Sequence, residues 1–480
     1  MLRLDASILQ QYNEAIQYEW LEANGLGGWS GSTVAGCHTR RYHGLLVAAT
    51  VPPAERMALV SKLDETIVCD DNRFELGVNN YGQAIHPMGY QYLTGFARDF
   101  FPVFTYQAGE IILQKTIAMI QGENTVVIIY DVLQAGRAFS LELLPLLAVR
   151  SYHSLVHANV AIHREASFDN GIFKAKAYDG TPDIFIQAPG ASWQAEPNWF
   201  YHFNYSVEAY RGLDFVEDLF THGKFNAALK QGDSLGIIIS VDHPGGRDAH
   251  QLLAKELERR KLLLRNQPAN ETLRQLVLAA DQFIARRDID LKTIIAGYHW
   301  FTDWGRDTMI SLPGLCLATG RYEDAKKILG AFSKAVSQGM LPNRFQDNGE
   351  PPEYNNVDGT LWYFIAVYKY LQATGDPDFV LNEILPVLKE IIDWHFKGTR
   401  YNIHADEDGL LFAGEEGQQL TWMDARIGTW VVTPRMGKPV EIQALWYNAL
   451  KIFAELLLLN NQAMEAKTVN DCAEKNKAAF

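Results

Sequence analysis

The sequence predicts two domains: a large antiparallel β-sandwich followed by a ring of helical hairpins. Three observations carry that expectation. A chain of 480 residues exceeds one ordinary domain. From about residue 18 to 240, short alternating or apolar runs are separated by Gly, Asn and Asp. After about residue 270 the apolar period becomes helical.

In the first half, Val103–Gln107 alternates, Ala108-Gly-Glu supplies a turn, and Ile111–Ile120 returns as the second arm of a hairpin. Further strands are expected at Thr125–Val132, Phe139–Leu147, Val160–His163, Ile172–Ala177, Ile184–Ala188, Phe203–Ala209 and Ser234–Val241. Many strands without long helices between them make a sandwich. In Arg247–Asn266, charges alternate with leucines at helical spacing, which reads as a connecting helix. The expected boundaries are therefore 1–245 for the sandwich, 246–269 for the connector and 270–480 for the helical domain.

The second half carries a weak internal repeat. Thr308–Leu317 is an apolar helix that ends in Ala318-Thr319-Gly320, with the amphipathic Glu323–Ser337 after it. Leu361–Leu371 ends in Ala373-Thr374-Gly375 ahead of Asp378–Phe396, and Ile442–Leu459 ends in Asn460-Asn461 ahead of a helix from about Ala463 to Ala473. Gly or Asn just past a helix end supplies the left-handed cap. Such hairpins build either a solenoid or a closed toroid. The toroid is the preferred reading, because it gathers the loops before the first helices at one end.

Those loops hold the unusual chemistry. Seven of the eleven tryptophans lie between Trp300 and Trp446, in under a third of the chain. With them come Trp304-Gly-Arg306-Asp307, Asn343-Arg344, Tyr354-Asn355 with Asp358, Thr421-Trp422-Met-Asp424, and Gly437-Lys-Pro-Val-Glu441. Indole faces stack on the C–H faces of sugar rings, while carboxylates and guanidinium groups grip hydroxyls. Asp307, Asp358 and Glu441 also stand where helices begin, so capping and dipole roles compete with site-lining for each of them. Asp424, beside Trp422 in an irregular stretch, is expected to be desolvated by the indole, which raises a carboxyl toward general-acid use. Asn343, Arg344, Tyr354 and Asn355 lie in a polar loop and are candidates for lining the same site.

The bulk numbers narrow the alternatives. A net charge of −14 argues against a nucleic-acid partner. No apolar window of membrane-spanning length is expected, and the N-terminus is too charged for a signal peptide. Four cysteines without metal or redox spacing point to reduced thiols and a cytoplasmic protein. The glycine-rich Asn24–Gly36 stretch lacks phosphate-loop spacing, and His38, Arg40, Arg41, Tyr42 and His43 after it read as a tightly turned β-segment. Neither a nucleophile triad nor a metal-ligand pair stands out.

At these residues the chain resembles the glycogen-debranching, amylo-α-1,6-glucosidase family of bacterial and archaeal type. Glu19–Trp29 with Arg41-Tyr-His-Gly-Leu-Leu-Val, and Tyr210–Phe220, are similar to its N-terminal β-domain. Trp304-Gly-Arg-Asp-Thr, Thr421-Trp-Met-Asp-Ala and Gly437-Lys-Pro-Val-Glu-Ile are similar to its catalytic domain. The resemblance implies an (α/α)6 toroid that removes α-1,6-linked glucose stubs from branched α-glucan with inversion, without metal or cofactor. It assigns Arg306 and Asp307 to the hydroxyls of the outermost glucose and Asp424 to the general acid.

Two departures follow. About seven of twelve toroid helices are found, and no match to the family's general base occurs before Phe480, so a truncated, incomplete toroid is expected. Inversion needs a second carboxylate roughly 6.5–9.5 Å from the acid. The alternatives are another (α/α)6 exo-hydrolase, glucoamylase- or trehalase-like, and a non-catalytic glycan-binding fragment.

Overall fold

The computed structural model describes residues 2–346 and 350–480, which separate into two compact units, Met1–Gln282 and Phe283–Phe480. Each is described by itself.

The first unit is an antiparallel β-sandwich. Its nine-stranded sheet runs in the order Leu2–Asp5, Leu93–Arg98, Pro102–Ala108, Ile111–Met119, Thr125–Gln134, Ser234–Ser240, Ile184–Gln187, Ile172–Ala175 and Ala166–Asp169. The path of the second sheet is Ser192–Asn204, Val216–Leu229, Phe139–Ser151, Ala54–Cys69, Gly44–Val51, Trp29–Thr33 and Glu19–Ala23, with Asn72–Glu75 on Ala54–Cys69. The hairpin expected around residue 109 pairs Val103 with Thr116 and Ala108 with Ile111, and Gly109 takes φ +59° at its tip. One core holds both inner faces, with Phe104, Ile128 and Ile237 from one sheet and Leu46, Leu141 and Phe225 from the other.

Two expected strands fail here. Val160–His163 is irregular: Val160 is fully exposed, Ile162 reaches the core, and His163 N donates to Ala177 O at 2.8 Å outside any ladder. Phe203–Ala209 divides instead: the strand ends at Asn204 and Ser206–Tyr210 turns into a short helix, with Tyr205 buried at the junction.

The charged segment after residue 246 is helical over Ala249–Leu263, where the Asp248 side chain accepts from Gln251 N at 2.9 Å as an N-cap. Ala249, Leu252 and Leu253 pack against Ile120, Val127, Ile129 and Ile238, the face of the nine-stranded sheet opposite the core. Arg260 reaches Glu22 at 2.6 Å, and Arg259 reaches Asp281 at 2.7 Å on the next helix. The segment read as a connector therefore covers one face of the first unit.

The second unit consists of helical hairpins. Gly305–Leu312 continues through a wider turn, Pro313–Leu317, because Pro313 offers no N–H to an α-helical ladder. Gly320, φ +75°, leads to Tyr322–Ser333. Val357–Thr374 closes on Gly375 in the left-handed region (φ +62°), whose N–H donates to Leu371 O. Pro377–Phe379, a wider turn over Val380–Ile384 and Leu385–Lys397 return. Val440–Leu459 and Ala463–Ala479 form the third hairpin.

The first helices adjoin: Gly305–Leu312 lies against Val357–Thr374, and that helix against Val440–Leu459. These two long helices supply Tyr363, Phe364, Trp446 and Phe453 to the core, whereas Ala463–Ala479 buries only a narrow stripe. Val440–Leu459 corrects one sequence expectation. It has 20 residues and mean hydropathy 1.3, long and apolar enough to cross a membrane by length and composition alone, but 56% of that window is buried inside the protein. Its apolar residues serve the core of this unit.

Candidate functional site

The loops ahead of the helices are stitched together by backbone pairs. Gly305 N donates to Asn343 O at 2.8 Å, and Asn343 N to Glu353 O at 2.6 Å. Isolated bridges join Trp304 to Arg344 and Arg344 to Glu353. Gly305 has to be glycine, because a Cβ there would lie 2.1 Å from the Pro342 carbonyl oxygen. Val357 N donates to Leu420 O at 2.9 Å, which ties the Asp424 loop to the start of the second helix.

On that frame Trp304 is half-buried, edge-on to Phe301 at 5.8 Å and with the Arg344 guanidinium 5.6 Å from its ring. Arg344 is held by Glu353 through two 2.8 Å bonds, and that pairing keeps the Glu353 carboxyl below its ordinary range. Gln346 adds a third bond to Glu353 at 3.1 Å. Asn343 is buried, donates to Asn355 Oδ1 at 3.1 Å, and its own Oδ1 has no partner among the described residues.

Arg306 does not reserve its guanidinium for a clamp shared with Asp307. Its Nε and Nη2 donate to Asp358 at 2.8 and 2.9 Å, a bidentate pair with both side chains largely buried. Nor is Asp358 the helix cap, a role taken by Asn356, whose Oδ1 accepts from Gly359 N at 2.8 Å. Asp307, one residue beyond Arg306 in the first turn, is exposed. Desolvation pushes its carboxyl up and the charges of Asp358 and Asp424 add to that, against Arg306, which lowers it. Asp307 thus feels the charge of two carboxylates far from it in sequence, one at the start of the adjoining helix and one in the Thr421–Ala425 loop.

The Asp424 loop departs from expectation. Trp422 is 55% exposed and Asp424 is exposed, so the indole does not bury the acid. Instead the Arg435 guanidinium sits 5.6 Å from the Trp422 ring and pairs with Glu441 in the first turn of Val440–Leu459. A local sequence reading finds the tryptophan beside the acid but not the arginine that takes up one of its faces. Tyr354 is engaged by other groups: its hydroxyl donates to Ala335 O at 3.0 Å, and Arg400 lies 4.4 Å from its ring.

One residue escaped the sequence reading. Asp303, immediately before Trp304, is buried, paired with Arg287, and raised above the ordinary range chiefly by desolvation. The Arg287 guanidinium lies 3.5 Å from the Phe345 ring. The signal was present as an acid in a run of aromatics, but only a partner sixteen positions away gives it meaning.

The structure is similar to that of a bacterial glucoamylase complexed with acarbose, with a TM-score of 0.56 and 12% identity over 96% of this chain and 66% of that one. Residues 18–236 match the family model described as glycogen debranching enzyme N terminal, and residues 278–480 match the one described as amylo-alpha-1,6-glucosidase. A glycogen debranching enzyme of the yeast Saccharomyces cerevisiae is 30% identical over 32% of this chain. The chain spans 13% of that enzyme's length. It belongs to the glycogen-debranching, amylo-α-1,6-glucosidase family.

Proposed function

We propose that this chain removes α-1,6-linked glucose stubs from glycogen branch points by hydrolysis with inversion, in the cytoplasm, on an (α/α)6 toroid of which these hairpins form part. The observation that carries the reading is the Asp307 carboxyl, next to the Arg306–Asp358 pair and raised in part by the charges of Asp358 and Asp424. Asp424 is the general acid. Its loop is anchored to the start of Val357–Thr374 through Leu420, and its charge adds to the upward shift of the Asp307 carboxyl. Asp307 accepts hydroxyls of the terminal glucose. Arg306 presents the remaining donors while Asp358 fixes its plane. Inversion also requires a carboxylate to activate water on the opposite face of the ring. Glu441 is engaged with Arg435, which favours a positioning role for that pair over the role of base. Three buried cysteines and one half-buried, all unpaired, support the cytoplasmic setting.

The test is glucose release from a phosphorylase-limit dextrin by the chain and by Asp424→Asn. Release that the substitution abolishes supports the acid assignment. Release from maltose or trehalose but not from the dextrin assigns another exo-hydrolase. Saturable dextrin binding without release, equal in both proteins, makes this a glycan-binding module and overturns the proposal.

A further inference from the structure

Between Asp424 and Glu441 the chain leaves the body of the second unit as a small arm. Arg426–Ile427 pairs antiparallel with Trp430–Val431 across the two-residue turn Gly428-Thr429, with Arg426 opposite Val431 and Ile427 opposite Trp430. Gly428 takes φ +58°, as the first turn position of such a tight hairpin demands. The arm is short, yet it is pinned. Gln419, 5% exposed, donates from Nε2 to Ala425 O at 3.1 Å and to Thr433 O at 3.4 Å, the residues at its two ends. Val432 N closes onto Ala425 O at 3.1 Å.

What the arm presents is apolar and open. Ile427 and Trp430, cross-strand partners on one face, are 67% and 61% exposed. Among the described residues no ring or guanidinium stacks on Trp430, whereas one face of Trp422 is occupied by Arg435. The arm is not remote from the carboxylates. It shares its loop with Asp424, and Arg426 at its base acts on Glu353, the partner of Arg344 beside Trp304.

We propose that the Ala425–Thr433 arm, with Trp430 stacked on a glucose ring, is the contact for the α-1,4-linked main chain that carries the scissile stub, and that Gln419 is its positioning residue. The inference rests on the reading given under Proposed function and names the part of the substrate that reading leaves unaccounted for. A single glucose occupies the carboxylate cluster, but a branch point continues in both directions along its main chain. That polymer has to run over the surface adjoining the acid. A flat, uncharged aromatic face suits a sugar ring, and a rigid hairpin holds it without ordering cost on binding. The arm therefore discriminates branched polymer from an isolated α-1,6 disaccharide while leaving the recognition of the stub untouched.

The experiment measures binding, so that it does not depend on turnover. Retardation in gels containing phosphorylase-limit dextrin gives polymer affinity, and saturation-transfer NMR gives affinity for isomaltose. For the full chain, Trp430→Ala is expected to weaken dextrin binding about tenfold, the usual scale for truncating a central aromatic contact. Isomaltose binding stays unchanged. Trp430→Phe keeps most of the dextrin affinity, and Gln419→Leu loses it in part with isomaltose again unaffected. Wild-type dextrin affinity in Trp430→Ala overturns the proposal while the carboxylate reading stands. Equal losses for dextrin and isomaltose overturn it too, since the arm would then serve the stub site. Wild-type protein that binds neither sugar removes the underlying reading, and this proposal with it.

Discussion

Arg306 and Asp358, 52 positions apart, meet in two parallel N–H···O bonds of 2.8 and 2.9 Å at the start of two neighbouring helices. The pair does two things at once. It neutralises a carboxylate that is almost wholly buried, and it fixes the plane of a guanidinium next to the exposed Asp307. Because it joins Gly305–Leu312 to Val357–Thr374, it is also a fastener between two helical hairpins.

Breaking that fastener on one side costs more than removing it. Asp358→Asn leaves Arg306 without a counter-charge and is expected to lower unfolding stability by about 3 kcal/mol. The double substitution Arg306→Met with Asp358→Leu is expected to lose less, because no charge is stranded. Urea unfolding of the two variants checks the order. The reverse ranking would show that the pair contributes mainly through its bonds and not through mutual neutralisation.

Asp307 is expected to trade stability for function. Its carboxyl sits above the ordinary aspartate value of 3.8, through desolvation first and then Asp358 and Asp424. The folded state therefore binds this proton more readily than the unfolded state. The contribution to stability is full below the ordinary aspartate range and is lost as pH rises through the raised folded value. Asp307→Asn removes that loss, so its melting temperature should exceed wild type at pH 7 and match it near the acid end of the range. Glucan binding should fall. Thermal melts at the two pH values with a dextrin-binding assay decide it, and equal melting temperatures at pH 7 would refute the trade-off.

His395 gives the second unit its own acid sensitivity. It is fully buried, stacked on Trp446 at 5.7 Å with its Nδ1 on Ile391 O at 2.7 Å, and burial holds it down to about 4 against an ordinary 6.5. The unfolded chain takes up a proton that the folded one refuses. The stabilisation is thus complete above about 6.5 and disappears as pH falls through about 4. The full span corresponds to roughly 3 kcal/mol. His395→Phe should flatten the pH dependence of unfolding between these limits, as read by tryptophan fluorescence. A slope identical to wild type would assign the acid sensitivity to other groups.

Gly375 ends its helix in a conformation that side chains resist, with φ +62° and no atom within 4 Å of the place a Cβ would take. Gly375→Ala is expected to cost about 1 kcal/mol through backbone strain alone, and Gly375→Asn less. Urea unfolding of both variants checks the order. Because space is free, a larger loss in the alanine variant would point to the Leu371 hydrogen bond of the cap instead.

The order of the two units, the sandwich hairpin around Gly109, the three helical hairpins with their Gly375 and Asn460 endings, and the family were all legible in the chain alone. These rest on period and turn chemistry, which act between near neighbours. Failures came where a segment's fate depends on distant groups. Val160–His163 has strand composition but sends only Ile162 into the core, and Ala249–Leu263 looks like a linker until the outer face of a sheet receives Leu252 and Leu253. The site divides in the same way. Trp304, Asp307 and Asp424 stand out as candidates in the chain because aromatic and acid lie side by side there. The pairing of Arg306 with Asp358, of Arg435 with Glu441 and of Asp303 with Arg287 was not. An ion pair forms with whichever counter-charge the packing of helices brings within about 4 Å, and that distance belongs to the tertiary structure alone.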